Sequence, residues 1–316
     1  MREIRNVLIY GYGVMGRGVT KTFARSGYRT IVKSRREIGR ADLPAGVDSV
    51  ATLPSQAPDL IIELAPEDVA IKRAVYAEIE AAYPGEDVVI ATGTSGLDLV
   101  ELAEGMQWPQ NFIGLHYFMP ADQSLVVEVM AGPAASHELV DSTAQVMLNT
   151  GKEPVRLYRP VVGFLLNRLQ HAILHEAYYL LSEGVANVEA IDLAAKRLLA
   201  PRMCVNGLIQ QKDIGGLAVH AQAQRSIVPK LYHNGTPSPM LQAMVRRGET
   251  GLDAGKGFYD WNGRSAEAVR RQASARLKKL MDFIDSELHS SMPETCAELP
   301  TGGGNTNSPA AHSGGR

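Results

Sequence analysis

Residues 6–16 read NVLIYGYGVMG, an apolar run that ends in a glycine pattern of the form GxGxxG. A helical pattern and a second apolar run follow directly. Placed between a strand and a helix, this pattern is typical of a dinucleotide-binding turn. Gly11 would allow the tight bend, Gly13 the approach of a pyrophosphate, and Gly16 the close packing of helix on strand. We therefore predict that the phosphates meet the helix N-terminus and that the contacting residues are Gly11, Gly13, Val14, Met15 and Gly16.

Short apolar runs and helical patterns alternate along the first half of the chain. Strands are predicted at residues 6–10, 30–33, 60–63, 87–91, 112–116 and 124–130, with helices such as 16–26 and 66–82 between them. Such alternation predicts a parallel sheet with right-handed crossovers. Helical patterns alone follow, at residues 162–183, 188–199, 214–231 and 266–290.

The predicted fold class is therefore α/β. A Rossmann-type doubly wound, mainly parallel sheet domain (residues 1–158) is followed by an all-α domain (residues 159–290). Residues 291–316 are rich in Gly, Ser, Asn and Pro and are predicted to be a disordered tail. The helix at 162–183 is apolar on nearly every face and needs cover on every face. We therefore expect a homodimer formed through the helical domain.

Composition excludes several classes of protein. The chain has 316 residues, 45% of them hydrophobic, and a formal net charge of −2, which does not suit a nucleic-acid-binding protein. We see no membrane-length apolar run and no signal-peptide pattern, so no membrane partner is expected. Two cysteines, Cys204 and Cys296, are too few for a disulfide framework and fit a reducing cytoplasm. We predict no metal site, since His171 and His175 have no visible third ligand.

The end of the second predicted strand bears on cofactor choice. An NAD site usually has Asp or Glu there to bind the ribose 2′-hydroxyl. This chain has Ser34, Arg35 and Arg36, which would hold a 2′-phosphate by charge-assisted hydrogen bonds. We expect NADP(H) in preference to NAD(H). The alternative is a solvated basic turn.

A histidine and a glutamate suggest acid–base chemistry. His116 ends a predicted strand, and Glu128 lies in the next apolar run, where an unpaired carboxylate would be costly. A carboxylate beside an imidazole fixes its tautomer and raises its basicity, as a general base requires. The alternative is a structural histidine near a strand end.

Ordered motifs give the chain a resemblance to the L-3-hydroxyacyl-CoA dehydrogenase family. It extends over about residues 5–262 and rests on these segments: GYGVMGRG at 11–18, ELAPED at 63–68, GLHYF at 114–118, GKEPV at 151–155, GFLLNR at 163–168 and GKGFYD at 255–260. The resemblance implies catalytic roles for His116, Glu128, Ser95 and Asn167, and cofactor-side roles for Glu67 and Lys72. It also implies reversible hydride transfer between a carbinol carbon and nicotinamide.

Departures from the family pattern concern the substrate. Met119 and Gly93 stand where the family usually has asparagine, and Ser34 where it has aspartate. The helical insertion that helps family members to hold CoA has no room after residue 33, where prolines interrupt a short segment. We therefore expect a small free 3-hydroxy acid or a related alcohol or carbonyl, with an imine and a 3-hydroxyacyl-CoA as alternatives. A dinucleotide-binding structural or sensor protein with little turnover is the alternative of another class.

Overall fold

A single β-sheet dominates the first part of the molecule. The computed structural model describes residues 3–288. Its strands are β1 (Asn6–Tyr10), β2 (Arg29–Lys33), β3 (Asp48–Val50), β4 (Leu60–Glu63), β5 (Val89–Thr92), β6 (Phe112–Tyr117), β7 (Val126–Ala131) and β8 (Glu153–Leu157). The strand order is β3-β2-β1-β4-β5-β6-β7-β8. Strands β1 to β6 run parallel, β7 is antiparallel to β6, and β8 is parallel to β7.

Helices cover both faces of this sheet. They are α1 (Val14–Arg25), α2 (Val69–Ala82), α3 (Leu99–Ala103) and α4 (His137–Asn149). Because side chains alternate along a strand, Ile9 joins the core cluster of α1 and α4, whereas Leu8 joins that of α2 and α3. The order 3-2-1-4-5-6 is that of the doubly wound nucleotide-binding fold, whose ligands bind where the strand order reverses, here between β1 and β4.

The remaining chain is helical. Its helices are α5 (Leu166–Ser182), α6 (Val188–Ala194), α7 (Ala200–Asn206), α8 (Gln210–Gly215), α9 (Leu217–Ile227), α10 (Pro239–Arg246) and α11 (Ala266–Glu287). The predicted fold class, a mainly parallel sheet domain followed by helices, is confirmed. Internal contacts divide the chain into two compact units, residues 1–175 and residues 176 onward. The domain bounds at residues 158 and 290 stay a prediction, and the predicted tail, residues 291–316, lies outside the described residues.

Several elements differ from their predicted bounds. The long helix begins at Leu166 rather than at residue 162, because Gly163 and Phe164 both have positive φ and form a turn. Residues 195–199 form a π-helical turn, which interrupts the helix predicted at 188–199. Strands β3 and β8 and helix α4 were not predicted. None of the described helices has an apolar stretch long enough to cross a bilayer.

Candidate active site

His116 and Glu128 form a buried pair on adjacent strands. They are directly opposite each other in the β6–β7 ladder, so their side chains share one face of the sheet. His116 Nδ1 lies 2.7 Å from Glu128 Oε2, and the two residues are 5% and 1% exposed. Because the carboxylate accepts from Nδ1–H, the neutral ring carries its lone pair on Nε2.

The other carboxylate oxygen of Glu128 binds the beginning of α5. Oε1 accepts hydrogen bonds of 2.9 Å from the backbone N–H groups of Leu165 and Leu166. Helix N-termini carry unsatisfied N–H groups and a partial positive charge, which favour a carboxylate there. Glu128 is therefore held on both oxygens, and its position in turn fixes the imidazole.

Two aromatic rings enclose the imidazole. The ring centroids of Phe118 and Phe164 lie 4.6 and 5.0 Å from that of His116. Phe164 is fully buried, and a Cβ at Gly114 would approach its ring to 2.9 Å. Gly114 thus leaves the space that Phe164 fills. The sequence reading did not identify Phe164, although the quoted motif GFLLNR contains it.

Ser95 and Asn167 also come together. Asn167 Nδ2 donates to the carbonyl oxygen of Ser95 over 2.8 Å. The loop that carries Ser95 follows β5 and is bound by Glu67, whose Oε1 accepts from the Thr94 hydroxyl at 2.6 Å and from the Ser95 N–H at 2.8 Å. Glu67 therefore positions the segment that carries Ser95.

Lys72 lies under this loop and is fully buried. Its Nζ is 2.9 and 3.1 Å from the two carboxylate oxygens of Glu63, and 3.7 Å from Glu67 Oε2. The hydroxyls of Tyr76 and Thr92 both donate to Glu63 Oε2 over 2.9 Å. Burial first, and then the nearby Glu63 charge, raise the pKa of Tyr76 well above its usual range, which keeps this donor protonated. The Lys72 ammonium thus faces Glu63 rather than open space. Its contact with the loop that carries Ser95 is indirect, because Glu67 lies between them.

Gly11 and Gly16 allow close backbone contacts in the glycine turn, and Gly13 leaves open space there. Gly11 has φ of 107°, and a Cβ there would lie 2.8 Å from the Leu64 carbonyl oxygen, whereas a Cβ at Gly16 would lie 2.1 Å from that of Gly11. A Cβ at Gly13 would point into open space. Gly13 is also the N-cap of α1 and has no side chain to satisfy the first helical N–H groups. These features fit phosphate binding.

A cleft of about 770 Å³ lies at the point where the strand order reverses. The residues predicted to bind the cofactor that line it are Gly11, Gly13, Ser34, Arg35 and Arg36. The side chains of Arg35 and Arg36 are exposed and form no ion pair within the part of the chain that the structure describes. Val14 is also exposed, whereas Met15 packs against the core and Gly16 is buried.

A second group in this cleft was not predicted. Tyr10, Lys33 and Glu78 line its wall and are hydrogen-bonded to one another. Lys33 belongs to the second strand, and its ammonium group contacts Tyr10 and Glu78. Among residues 3–288, no cluster of three or more metal-ligating side chains occurs.

Family models match both parts of the chain. The NAD binding domain of 3-hydroxyacyl-CoA dehydrogenase matches residues 45–160, and the C-terminal domain of 3-hydroxyacyl-CoA dehydrogenase matches residues 163–261. Together the two matches cover more than half of the chain.

Similar proteins carry related names. The 5-formyl-3-hydroxy-2-methylpyridine 4-carboxylate 5-dehydrogenase of Mesorhizobium japonicum is 26% identical over 307 residues, which are 89% of this chain and 99% of that protein. The 3-hydroxybutyryl-CoA dehydrogenase of Clostridioides difficile is 29% identical over 80% of this chain and 98% of its own. That of Bradyrhizobium diazoefficiens is 31% identical over 65% of this chain and 69% of its own.

Solved structures share the fold. The crystal structure of 5-formyl-3-hydroxy-2-methylpyridine 4-carboxylic acid 5-dehydrogenase, described as an NAD⁺-dependent dismutase, has a TM-score of 0.79 at 23% identity and covers 90% of this chain and 99% of its own. A 3-hydroxyacyl-CoA dehydrogenase from Archaeoglobus fulgidus has a TM-score of 0.65 at 26% identity, covering 90% of this chain and 100% of its own. On the strength of the two domain matches and these relatives, the chain belongs to the 3-hydroxyacyl-CoA dehydrogenase family of oxidoreductases, which act on CH–OH groups with a nicotinamide dinucleotide.

Proposed function

We propose that the protein is an NADP(H)-dependent dehydrogenase of a small 3-hydroxy acid or a related alcohol. The observation that carries the proposal is the buried His116–Glu128 pair, with Nδ1 and Oε2 2.7 Å apart. In the direction of oxidation, Nε2 of His116 takes the hydroxyl proton as the C–H bond breaks and the C=O bond forms. Glu128 stabilises the resulting imidazolium. A nicotinamide dinucleotide bound in the cleft would supply the hydride acceptor.

Ser95 and Asn167 orient the reacting oxygen in this proposal. The Ser95 backbone is held by Glu67 on one side and by the Asn167 amide on the other. A hydroxyl and an amide fixed in this way can donate to a substrate oxygen with little loss of freedom on binding. In the direction of reduction, protonated His116 donates to the forming alkoxide, so the same three groups serve both directions.

The preference for NADP(H) rests on the turn after β2. The two exposed guanidinium groups of Arg35 and Arg36 line the cleft, and Ser34 Oγ accepts from the Arg36 N–H at 3.1 Å, which shapes the turn. A 2′-phosphate would gain charge-assisted hydrogen bonds there. The dismutase of known structure is described as NAD⁺-dependent and does not support this preference. The proposed preference for NADP(H) therefore rests on the residues of this chain alone.

The preference for a free acid over a CoA thioester rests on the segment between β2 and β4. Residues 34–59 contain a short 3₁₀ turn (Arg40–Asp42) and the three-residue strand β3, and no α-helix. The helical arm expected of a family member that holds CoA is therefore not formed by these described residues. The relative from Mesorhizobium japonicum bears the name of a pyridine carboxylate dehydrogenase, which is consistent with a small carboxylate substrate. The 3-hydroxybutyryl-CoA dehydrogenases among the relatives favour a 3-hydroxyacyl-CoA as the second candidate.

We also propose a homodimer that forms through the helical part of the chain. In a single chain, Leu169 and Ile173 of α5 are 40% and 44% exposed, and Ile214 and Leu217 are 67% and 58% exposed. Exposure of these large apolar side chains to water is unfavourable, because burying apolar surface contributes about 25 cal/mol of free energy per Å². Sedimentation at micromolar concentration would give a dimer, and a monomer would contradict this proposal.

The exposed thiol of Cys204 fits a reducing cytoplasm.

The activity is tested by a panel of substrates. Hydroxy acids, oxo acids, 3-hydroxyacyl-CoA thioesters and cyclic imines are each offered with NADP(H) and with NAD(H), and turnover is followed at the nicotinamide absorbance. We expect the highest kcat/KM with a free hydroxy or oxo acid and NADP(H). Turnover confined to CoA thioesters would overturn the substrate class. Dinucleotide binding without turnover of any compound would instead favour a structural or sensory protein.

A further inference from the structure

Three polar side chains, those of Tyr10, Lys33 and Glu78, meet in the wall of the β1–β4 cleft. The Tyr10 hydroxyl donates to Glu78 Oε2 over 2.6 Å, and Lys33 Nζ lies 2.9 Å from the Tyr10 hydroxyl and 3.0 Å from Glu78 Oε1. Lys33 Nζ also lies 4.1 Å from the centroid of the Tyr10 ring. Strands β1 and β2 and helix α2 contribute one residue each. The cluster therefore depends on how these elements pack and not on a local turn.

The pair of Lys33 and Glu78 is ionised at neutral pH and has no net charge. Burial opposes the charge of Lys33, but its hydrogen bonds with Tyr10 and Glu78 outweigh burial and raise the pKa of the ammonium. Burial likewise opposes the charge of Glu78, but the hydrogen bonds from Tyr10 and Lys33 lower the pKa of the carboxyl. Lys33 therefore offsets a carboxylate that would otherwise repel the phosphates of a dinucleotide.

Glu78 is the more exposed member of the ionised pair. Its side chain is 45% exposed, whereas that of Lys33 is 6% exposed. Each carboxylate oxygen of Glu78 has one partner within the cluster and can accept a further hydrogen bond. The cleft therefore presents an acceptor at this point, and the ammonium lies behind it.

The helix that carries Glu78 presents a matched surface beside it. Ile71, Ala74, Val75 and Glu78 all line the cleft, at the i, i+3, i+4 and i+7 positions of α2, and so form one stripe along the helix. Three apolar side chains are thus followed by one carboxylate. A flat aromatic ring with a polar edge fits such a stripe, with its face on the apolar part and its edge at Glu78.

We propose that Glu78 reads the base of the dinucleotide by accepting a hydrogen bond from the exocyclic amino group of adenine. Lys33 and Tyr10 hold the carboxylate in place and neutralise it. A base with an oxo group in that position, such as hypoxanthine, would bring an acceptor against an acceptor. The inference rests on the proposed function in one respect, that this cleft holds the adenosine half of the cofactor.

The test compares the binding of dinucleotides that differ only in the base. Dissociation constants are measured with the full chain, by titration of the nicotinamide fluorescence, for NADPH, NADH and the hypoxanthine counterpart of each. A hydrogen bond to a charged group predicts that hypoxanthine binds about tenfold more weakly, or worse. In Glu78→Gln, the amide can both accept and donate, so the ratio should fall close to one. Glu101→Gln removes an exposed carboxylate of α3 outside the cleft and should leave the ratio as in the wild type.

The possible outcomes separate this inference from the proposed function. Equal affinity for both bases in the wild type would overturn the inference, and so would a Glu78→Gln ratio equal to that of the wild type. Adenine could be preferred over hypoxanthine by the same factor in the phosphorylated and the unphosphorylated dinucleotides, while NADH binds more tightly than NADPH. That result would support recognition of the base by Glu78 and contradict the proposed preference for NADP(H). If no dinucleotide bound, the proposed function and the inference would both fall.

Discussion

Nδ1 of His116 lies 2.7 Å from Oε2 of Glu128, and the two residues are direct cross-strand neighbours where the sheet changes from parallel to antiparallel pairing. The second oxygen of Glu128 accepts the N–H groups at the start of α5. One carboxylate thus joins the imidazole to the helix that carries Asn167. In the proposed mechanism, acid–base chemistry and substrate orientation therefore depend on the same group.

Glu128→Gln tests the tautomer. The amide oxygen can still accept from Leu165 and Leu166, which leaves the NH₂ group to face His116 and makes Nδ1 the acceptor. Nε2 then carries the proton and cannot act as a base. We expect kcat to fall by about 10²- to 10⁴-fold with little change in dinucleotide affinity. The pH profile of kcat should no longer depend on His116 acting as a base. An unchanged profile with full kcat would show that Glu128 has no part in the mechanism.

His116→Ala tests the base itself. We expect kcat to fall by about 10²- to 10⁴-fold, because proton transfer then relies on water. The dinucleotide cleft is lined by other residues, so the dissociation constant for the cofactor should stay near that of the wild type. His137→Ala deletes an exposed ring on α4 and serves as the control. A His116→Ala enzyme with wild-type turnover would disprove the proposed mechanism.

Gly13→Ala and Gly16→Ala should differ in kind. A Cβ at Gly13 meets nothing within 4 Å, whereas one at Gly16 would lie 2.1 Å from a backbone oxygen. Gly13→Ala should therefore fold with wild-type stability and lose dinucleotide affinity, because the methyl group occupies the space of the pyrophosphate. Gly16→Ala should lose about 1–3 kcal/mol of unfolding free energy, because the backbone must shift. Thermal unfolding and cofactor titration of both variants separate the two effects, and tight NADPH binding by Gly13→Ala would contradict the assignment of the turn.

Arg35→Ala with Arg36→Ala tests the 2′-phosphate site. Each lost charge-assisted hydrogen bond is worth about 1.5–3 kcal/mol, so NADPH should bind at least tenfold more weakly and NADH should be nearly unaffected. Arg29→Ala removes an exposed arginine at the opposite end of β2 and provides the matched control. Equal weakening of NADPH and NADH would show that the two arginines do not recognise the 2′-phosphate.

The sheet and the His116–Glu128 pair could be predicted because each depends on local signals. The glycine pattern directly follows an apolar run, and a carboxylate in the apolar strand β7 needs a partner. Strand β3 has three residues, two of them exposed, and β8 contains Pro154, which an edge strand tolerates. Neither shows the apolar run that predicts a strand.

Contacts between residues distant in sequence account for what could not be predicted. Leu165 is 37 positions from Glu128, and no pattern near either residue indicates that they meet. Lys33 ends a strand next to Ser34 and the two arginines, so it resembles part of a solvated basic turn. Its contacts with Tyr10 and Glu78 depend on how β2 and α2 pack.

Lys72→Met tests whether the buried lysine stabilises the fold or binds the cofactor directly. The side chains of Lys72 and Glu63 are 1% and 0% exposed, so removing the ammonium leaves a buried carboxylate without its counter-charge. Breaking such a pair costs about 3–5 kcal/mol of unfolding free energy. Lys196→Met breaks an exposed pair with Asp192 and should cost no more than about 1 kcal/mol.

The double variant Glu63→Gln with Lys72→Met should recover part of the lost stability, because no uncompensated charge remains. The amide oxygen introduced by Glu63→Gln would still accept from the Tyr76 and Thr92 hydroxyls that now bind the carboxylate. Chemical denaturation of the single and double variants measures this coupling. If Lys72→Met instead kept the wild-type unfolding free energy and lost only NADPH affinity, the Lys72 ammonium would have to contact the cofactor directly. That result would contradict a structural role for the buried Lys72–Glu63 pair.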